Sequence, residues 1–108
     1  MTDYVVVLVT ASSAEEARRI GETLVAERLA ACANLIGGVC SIFRWDDKVE
    51  EAAEHLIVLK ARRADVDALA ARVRGLHSYE VPEVIAVPII AGAASYLAWL
   101  GASTDRRA

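Results

Sequence analysis

Two stretches of this chain are apolar on both of their faces, and that property limits the folds open to it most sharply. Residues 4–10 are β-branched or apolar throughout and are followed by Ser12-Ser13, which reads as a buried strand. Successive side chains of a strand point to opposite sides, so Val5, Val7 and Val9 face one way and Val6 and Leu8 the other. Leu56 and Val58 oppose Ile57 and Leu59 in the same manner. A sheet face open to water alternates polar with apolar residues, so these strands predict a sheet buried on both faces.

The rest of the chain supplies the partners of those strands. Ser13 is placed to cap a helix, with Glu16 three positions on completing a capping box. Ala17, Ile20, Gly21, Leu24 and Val25 form its apolar stripe. A second extended stretch runs over Cys32–Trp45, with a bulge or bend expected at Gly37-Gly38. Asp46-Asp47 marks a turn, and the chain returns as a third strand over Lys48–Arg62. Residues 65–76 carry Val66, Leu69, Ala70 and Val73 at helical spacing, with Gly75 expected to help end that helix. A fourth strand is expected over 84–90, with Pro88 at a sheet edge or bulge. A short helix over 94–100 closes a single domain, residues 1–102, leaving 103–108 as a loose tail. The order β-α-β-β-α-β predicts an α+β, ferredoxin-like fold: a four-stranded antiparallel sheet with two main helices on one face.

Two helices with one apolar stripe each cover only one sheet face, so the other needs a different cover. The 56% hydrophobic content exceeds the roughly 45–50% of an average soluble domain. At 108 residues the chain keeps too much surface to hide that excess in one core. Runs such as Val5 to Val9 fall far short of the ~20 residues that cross a membrane, and with Met1-Thr2-Asp3 at the start no signal peptide is expected. A second copy of the chain, not a membrane, is therefore the expected cover, and the cytoplasm the expected compartment. The long second and third strands add exposed edges that a neighbour would pair.

Charge and residue types narrow the chemistry. A net charge of −3, with basic and acidic residues interleaved, argues against nucleic acid as a partner. Cys32 and Cys40 are too few for a disulfide scaffold, and on one strand they would stand roughly 26 Å apart, so reduced thiols are expected. There is no CxxC, no HxxxH, no Gly-rich phosphate loop and no nucleophile with a base at motif spacing, so the chain is not expected to be an enzyme. His77 and Cys32 are the candidate metal ligands. Each also has a bland reading: His77 bonding the last carbonyls of the second helix, Cys32 as a small buried hydrophobe. His55 reads as a surface or interface residue, and Trp45 and Trp99 as interface anchors.

Several separate motifs occur together in this chain. Leu29-Ala30-Ala31-Cys32-Ala33-Asn34, Ser41-Ile42-Phe43-Arg44-Trp45, Lys48-Val49-Glu50, Glu54 to Lys60 and His77-Ser78-Tyr79-Glu80-Val81-Pro82-Glu83 resemble the CutA family in content and order. Tyr96-Leu97-Ala98-Trp99 fits its C-terminal signature, and the resemblance spans about residues 4–100. It implies a homotrimer joined through edge strands, associated with tolerance of divalent cations, copper in particular, and acting by binding rather than catalysis. It also implies likeness to the trimeric PII signalling proteins, which take small effectors in clefts between subunits.

On that layout Trp45, Lys48, Lys60, His77, Tyr79 and Glu83 would line an intersubunit cleft suited to a small polar or anionic ligand. The same residues serve equally as a network that fixes subunit register. Members assigned a copper site supply a Cys near the end of the first strand and a His-His pair before the Pro-Tyr. Here the matching positions are Val9 and Leu76-His77, so one ligand of three is present and copper or another divalent cation would be held weakly. Asp47 stands where Gly is common, Cys40 and Phe43 where Thr and Tyr are frequent, and Ser78 where Pro is frequent. A PII-like sensor of a small anionic effector and a structural scaffold for a partner are the alternative functions.

Overall fold

The β-α-β-β-α-β order is realised, with a third helix closing the chain. A computed structural model describes residues 3–107, so Met1 and Thr2 of the expected domain and Ala108 of the expected tail lie outside the described residues. The elements are β1 (Tyr4–Ala11), α1 (Ala14–Ala26), β2 (Cys32–Trp45), β3 (Lys48–Arg62), α2 (Val66–Leu76), β4 (Ile85–Pro88) and α3 (Ala94–Ser103). A 3-10 turn at Arg63–Asp65 leads into α2. The sheet order is β2-β3-β1-β4, antiparallel throughout. This is the expected α+β, ferredoxin-like arrangement.

The core lies on one face of the sheet. Val5, Val7 and Val9 of β1 and Ile57 and Leu59 of β3 pack against Ile20 and Leu24 of α1 and Leu69 and Val73 of α2. At ~1.5–3 kcal/mol per buried side chain of this size, that cluster dominates the stability of the subunit.

The opposite face is largely bare within the chain. Cross-strand partners share a face, and Val6 pairs Lys60 and Val87, while Leu8 pairs Val58 and Ile85. Val6, Leu8 and Val58 are only half-buried, and Ile85 is 52% exposed. At one end of this face α3 does cover it. Leu100 is fully buried there, and the Arg62 guanidinium donates to the Gly101 carbonyl at 2.6 Å and to Thr104 Oγ1 at 2.9 Å.

Three local expectations are corrected. The fourth strand is shorter than 84–90, because only Ile85–Pro88 finds partners on β1. Pro88 sits at the outer strand, where the missing amide breaks no ladder. The last helix runs past residue 100 to Ser103, and the following residues are held, not loose. Thr104 is buried and donates to the Leu100 carbonyl, and Arg106 forms a two-pronged ion pair with Asp65 at 2.8 and 3.1 Å. α2 ends at Leu76 as expected, one residue past Gly75, where His77 turns extended at φ −83°, ψ 146°.

Beyond Ala11, which pairs His55, β1 has no more residues to offer β3. Residues 39–54 therefore continue as a two-stranded arm, and the molecule is 45 Å long against 25 and 23 Å across. The arm starts at a bulge in which Gly37 and Gly38 together oppose His55 alone, with Gly38 at φ +78°. It ends in a two-residue turn with Asp46 at φ +49° and Asp47 at +61°, the left-handed pair that a tight hairpin demands. Ile42 and Trp45 on the arm are 65% and 61% exposed.

Candidate functional site

The end of β1, the first turn of α1, the segment after α2 and the base of the arm meet in one polar cluster. Glu16 belongs to α1, whose N-cap Ser13 accepts from the Glu16 amide at 3.1 Å. In a capping box the Glu16 carboxylate would reach back to the cap residue's own amide. Instead Oε1 accepts from the amide and hydroxyl of Ser12, both at 2.9 Å. Oε2 is left for a longer connection: it accepts from the Ser78 amide at 2.7 Å. Glu16 is buried with these partners. Burial alone would push its carboxyl up, but the hydrogen bonds from Ser12 and Ser78 prevail and hold it at about 2, against an ordinary 4.5.

His77 stands beside it with its side chain fully enclosed. Nε2 lies 2.7 Å from the Thr10 carbonyl, and Nδ1 accepts from the Tyr79 amide at 3.0 Å. The same Nδ1 is 3.8 Å from Glu16 Oε2. The Tyr79 ring tilts against the imidazole with centroids 4.7 Å apart, and its hydroxyl donates to Glu54 Oε2 at 2.8 Å. Burial, the bond to Glu54 and the charges of Glu54 and Glu16 push the Tyr79 phenol up to about 12. Glu54 is itself buried and is the first β3 residue of the arm beyond the β1 pairing. The cluster thus ties the arm's base to the segment that follows α2.

Of the residues singled out from sequence, this cluster contains His77 and Tyr79. His77 bonds the carbonyl of Thr10 on β1, not the last carbonyls of its own helix. Glu83 is exposed further along the same segment. Lys60 lies elsewhere: its ammonium donates to Asn34 Oδ1, which also receives the weak Cys32 Sγ contact at 3.8 Å. Burial and the neighbouring Cys32 sulfur push the Tyr96 phenol of α3 up. Trp45 and Lys48 flank the hairpin turn. Lys48 and Lys60 are separated by twelve residues of one strand, about 40 Å when extended. The six residues of the expected cleft are therefore not gathered within one subunit.

The two expected metal ligands are also apart. Cys32 is level with Lys60 and Val6, whereas His77 is attached at Thr10, four residues further along β1. That is about 13 Å along the sheet and two strands across. Val9, the position matching a copper-site Cys, is fully buried in the core, and Leu76 packs against the same core. Among the described residues no three His, Cys, Asp or Glu side chains are grouped to hold a metal ion.

Trp99 lies over an open groove of about 500 Å³ between α1 and the outer edge of β2, lined also by Gly21, Val25, Ala33 and Leu35. His55 packs over Gly37, and its Nδ1 is buried without a partner among the described residues.

Sequence reasoning missed Glu16 and Glu54 as members of the cluster. Glu16 carries a signal, but one that reads only as a helix cap. Glu54 opens one of the family-like segments, but as a single Glu between strand residues it reads as a solvated position.

The model of the CutA1 divalent ion tolerance protein matches residues 5–103. The divalent-cation tolerance protein CutA of Thermus thermophilus is 46% identical over 99 residues, covering 92% of this chain and 96% of that protein. The chloroplastic protein CutA 1 of Oryza sativa subsp. japonica is 43% identical over 100 residues, 93% of this chain. The chain spans 56% of that plant relative's length. The solved divalent cation tolerance protein (Cut A1) of Thermus thermophilus superposes with a TM-score of 0.93 at 45% identity, covering 94% of this chain and 99% of its own.

Proposed function

The chain belongs to the CutA1 divalent ion tolerance family, and on that premise we propose that it works as a homotrimer acting by binding rather than catalysis, in support of divalent-cation tolerance. One observation carries this reading: the sheet face opposite the helices, with Val6, Leu8, Val58, Ile85 and Val87 side by side, is apolar and only partly covered. An apolar patch of this kind on a stable subunit marks an interaction surface. The projecting arm, with Ile42, Trp45 and Val49 exposed, supplies the reach to a neighbour. Subunits would cover one another's open faces, and Trp45 and Trp99 would anchor the contacts. Light scattering tests the assembly: a trimer supports it, and a monomer at micromolar concentration contradicts it.

The proposed cleft residues are drawn from different subunits. Lys48 and Trp45 of one arm tip would approach His77, Tyr79, Glu83 and Lys60 of neighbours, because one chain cannot bring them together. Cation association is proposed to be weak, and the location to be cytoplasmic, where the two free thiols stay reduced.

A second reading is a small anionic effector in that cleft. Lys60 favours it, since its ammonium lies on the open sheet face, oriented by Asn34. Thermal-shift screening with nucleotides and dicarboxylates tests it. A shift that Lys60→Ala removes supports the effector, and no shift with either class counts against it.

A further inference from the structure

We infer that His77 is a clasp and not a metal ligand in the folded protein: its imidazole fastens the segment after α2 to the end of β1, and a cation reaches it only by opening that segment. This departs from the copper role that the family resemblance suggests for the position, and it rests on the donor count of the ring.

A neutral imidazole has one N–H and one lone pair. The partner of Nε2 is the Thr10 carbonyl, which only accepts, so the hydrogen is on Nε2. The partner of Nδ1 is the Tyr79 amide, which only donates, so the lone pair is on Nδ1 and is already engaged. A metal binds a lone pair, and here the one available is spent on a backbone amide and shielded from solvent. Coordination at Nδ1 breaks the Tyr79 bond. Coordination at Nε2 needs the other tautomer and breaks both.

The surroundings offer no compensation. Glu16, the carboxylate near Nδ1, has both oxygens bonded to Ser12 and Ser78. Val9 and Leu76 contribute hydrocarbon. Cys32 is about 13 Å away along the sheet. What the ring does instead is structural. With Ser78 bonded to Glu16 and Tyr79 bonded to both His77 and Glu54, three consecutive residues are fixed to three different elements. The clasp therefore orients the segment carrying Glu83 and the base of the arm at once.

The test uses the intact protein and Zn(II), which seeks imidazole without oxidising thiols. Nitrogen-15 spectra of the ring should show the Nε2–H tautomer for His77, with resonances unmoved by one equivalent of Zn(II). Hydrogen exchange of the Tyr79 and Ser78 amides should quicken at least tenfold in His77→Gln. The inference is overturned if the His77 ring nitrogens shift at one equivalent of metal, or if His77→Gln leaves both amides as slow as before. The ring measurement needs only the unmodified chain, so it decides the ligand question even where the variant does not fold.

Discussion

Glu16 Oε2 accepts a 2.7 Å hydrogen bond from the Ser78 amide, joining the first turn of α1 to a residue 62 positions later. Proline, frequent at this position in the family the chain resembles, has no amide hydrogen to give. A residue with a backbone amide hydrogen at position 78 is thus what completes the buried carboxylate's shell.

Ser78→Pro should therefore destabilise the protein by about 1–3 kcal/mol, the usual penalty for leaving a buried acceptor short of a donor. The residue before it is not the obstacle, because His77 at ψ 146° already has the conformation that precedes proline. The loss should shrink in a Glu16→Ala background, and a denaturation double-mutant cycle measures the coupling. Equal losses in both backgrounds would contradict the account.

Acid should weaken the fold through the same carboxylate. The folded value for Glu16, about 2, lies below its ordinary 4.5, so its contribution is fully present above pH 4.5 and is lost as pH falls towards 2. The shift corresponds to about 3 kcal/mol at most. Unfolding midpoints at pH 6 and pH 3 should differ more for the unmodified chain than for Glu16→Gln.

Much of the fold was legible because periodicity reports burial. The two-faced valines of β1, the cap at Ser13, the bulge at Gly37-Gly38 and the turn at Asp46-Asp47 stand where the sequence put them. What escaped reading depends on partners far along the chain. From sequence Thr104 reads as a tail residue, yet Arg62 holds it, and His77 reads as a helix cap, yet its ring bonds the Thr10 carbonyl. Residue spacing along the chain does not encode such contacts.

Asp47 occupies a left-handed position at φ +61° that glycine adopts without steric cost. Asp47→Gly should stabilise the hairpin by about 0.5–1 kcal/mol, read as a higher unfolding midpoint. A fall in the midpoint would mean that the Asp47 side chain does more than tolerate the turn.

Gly101 leaves room for Tyr4. A Cβ there would collide with the Tyr4 hydroxyl, so Gly101→Ala should cost about 1–3 kcal/mol by lifting α3 from the sheet. Tyr4→Phe removes the colliding oxygen and should recover part of that loss. No recovery would place the strain elsewhere.

The central claim is that a second copy completes this subunit, and multi-angle light scattering across a hundredfold range of concentration measures it most directly. The account predicts a constant mass of three chains, and its disruption by Leu56→Asp, which sets an unpaired charge on the open sheet face beside Thr10. A folded monomer at micromolar concentration, or a trimer indifferent to Leu56→Asp, would contradict it.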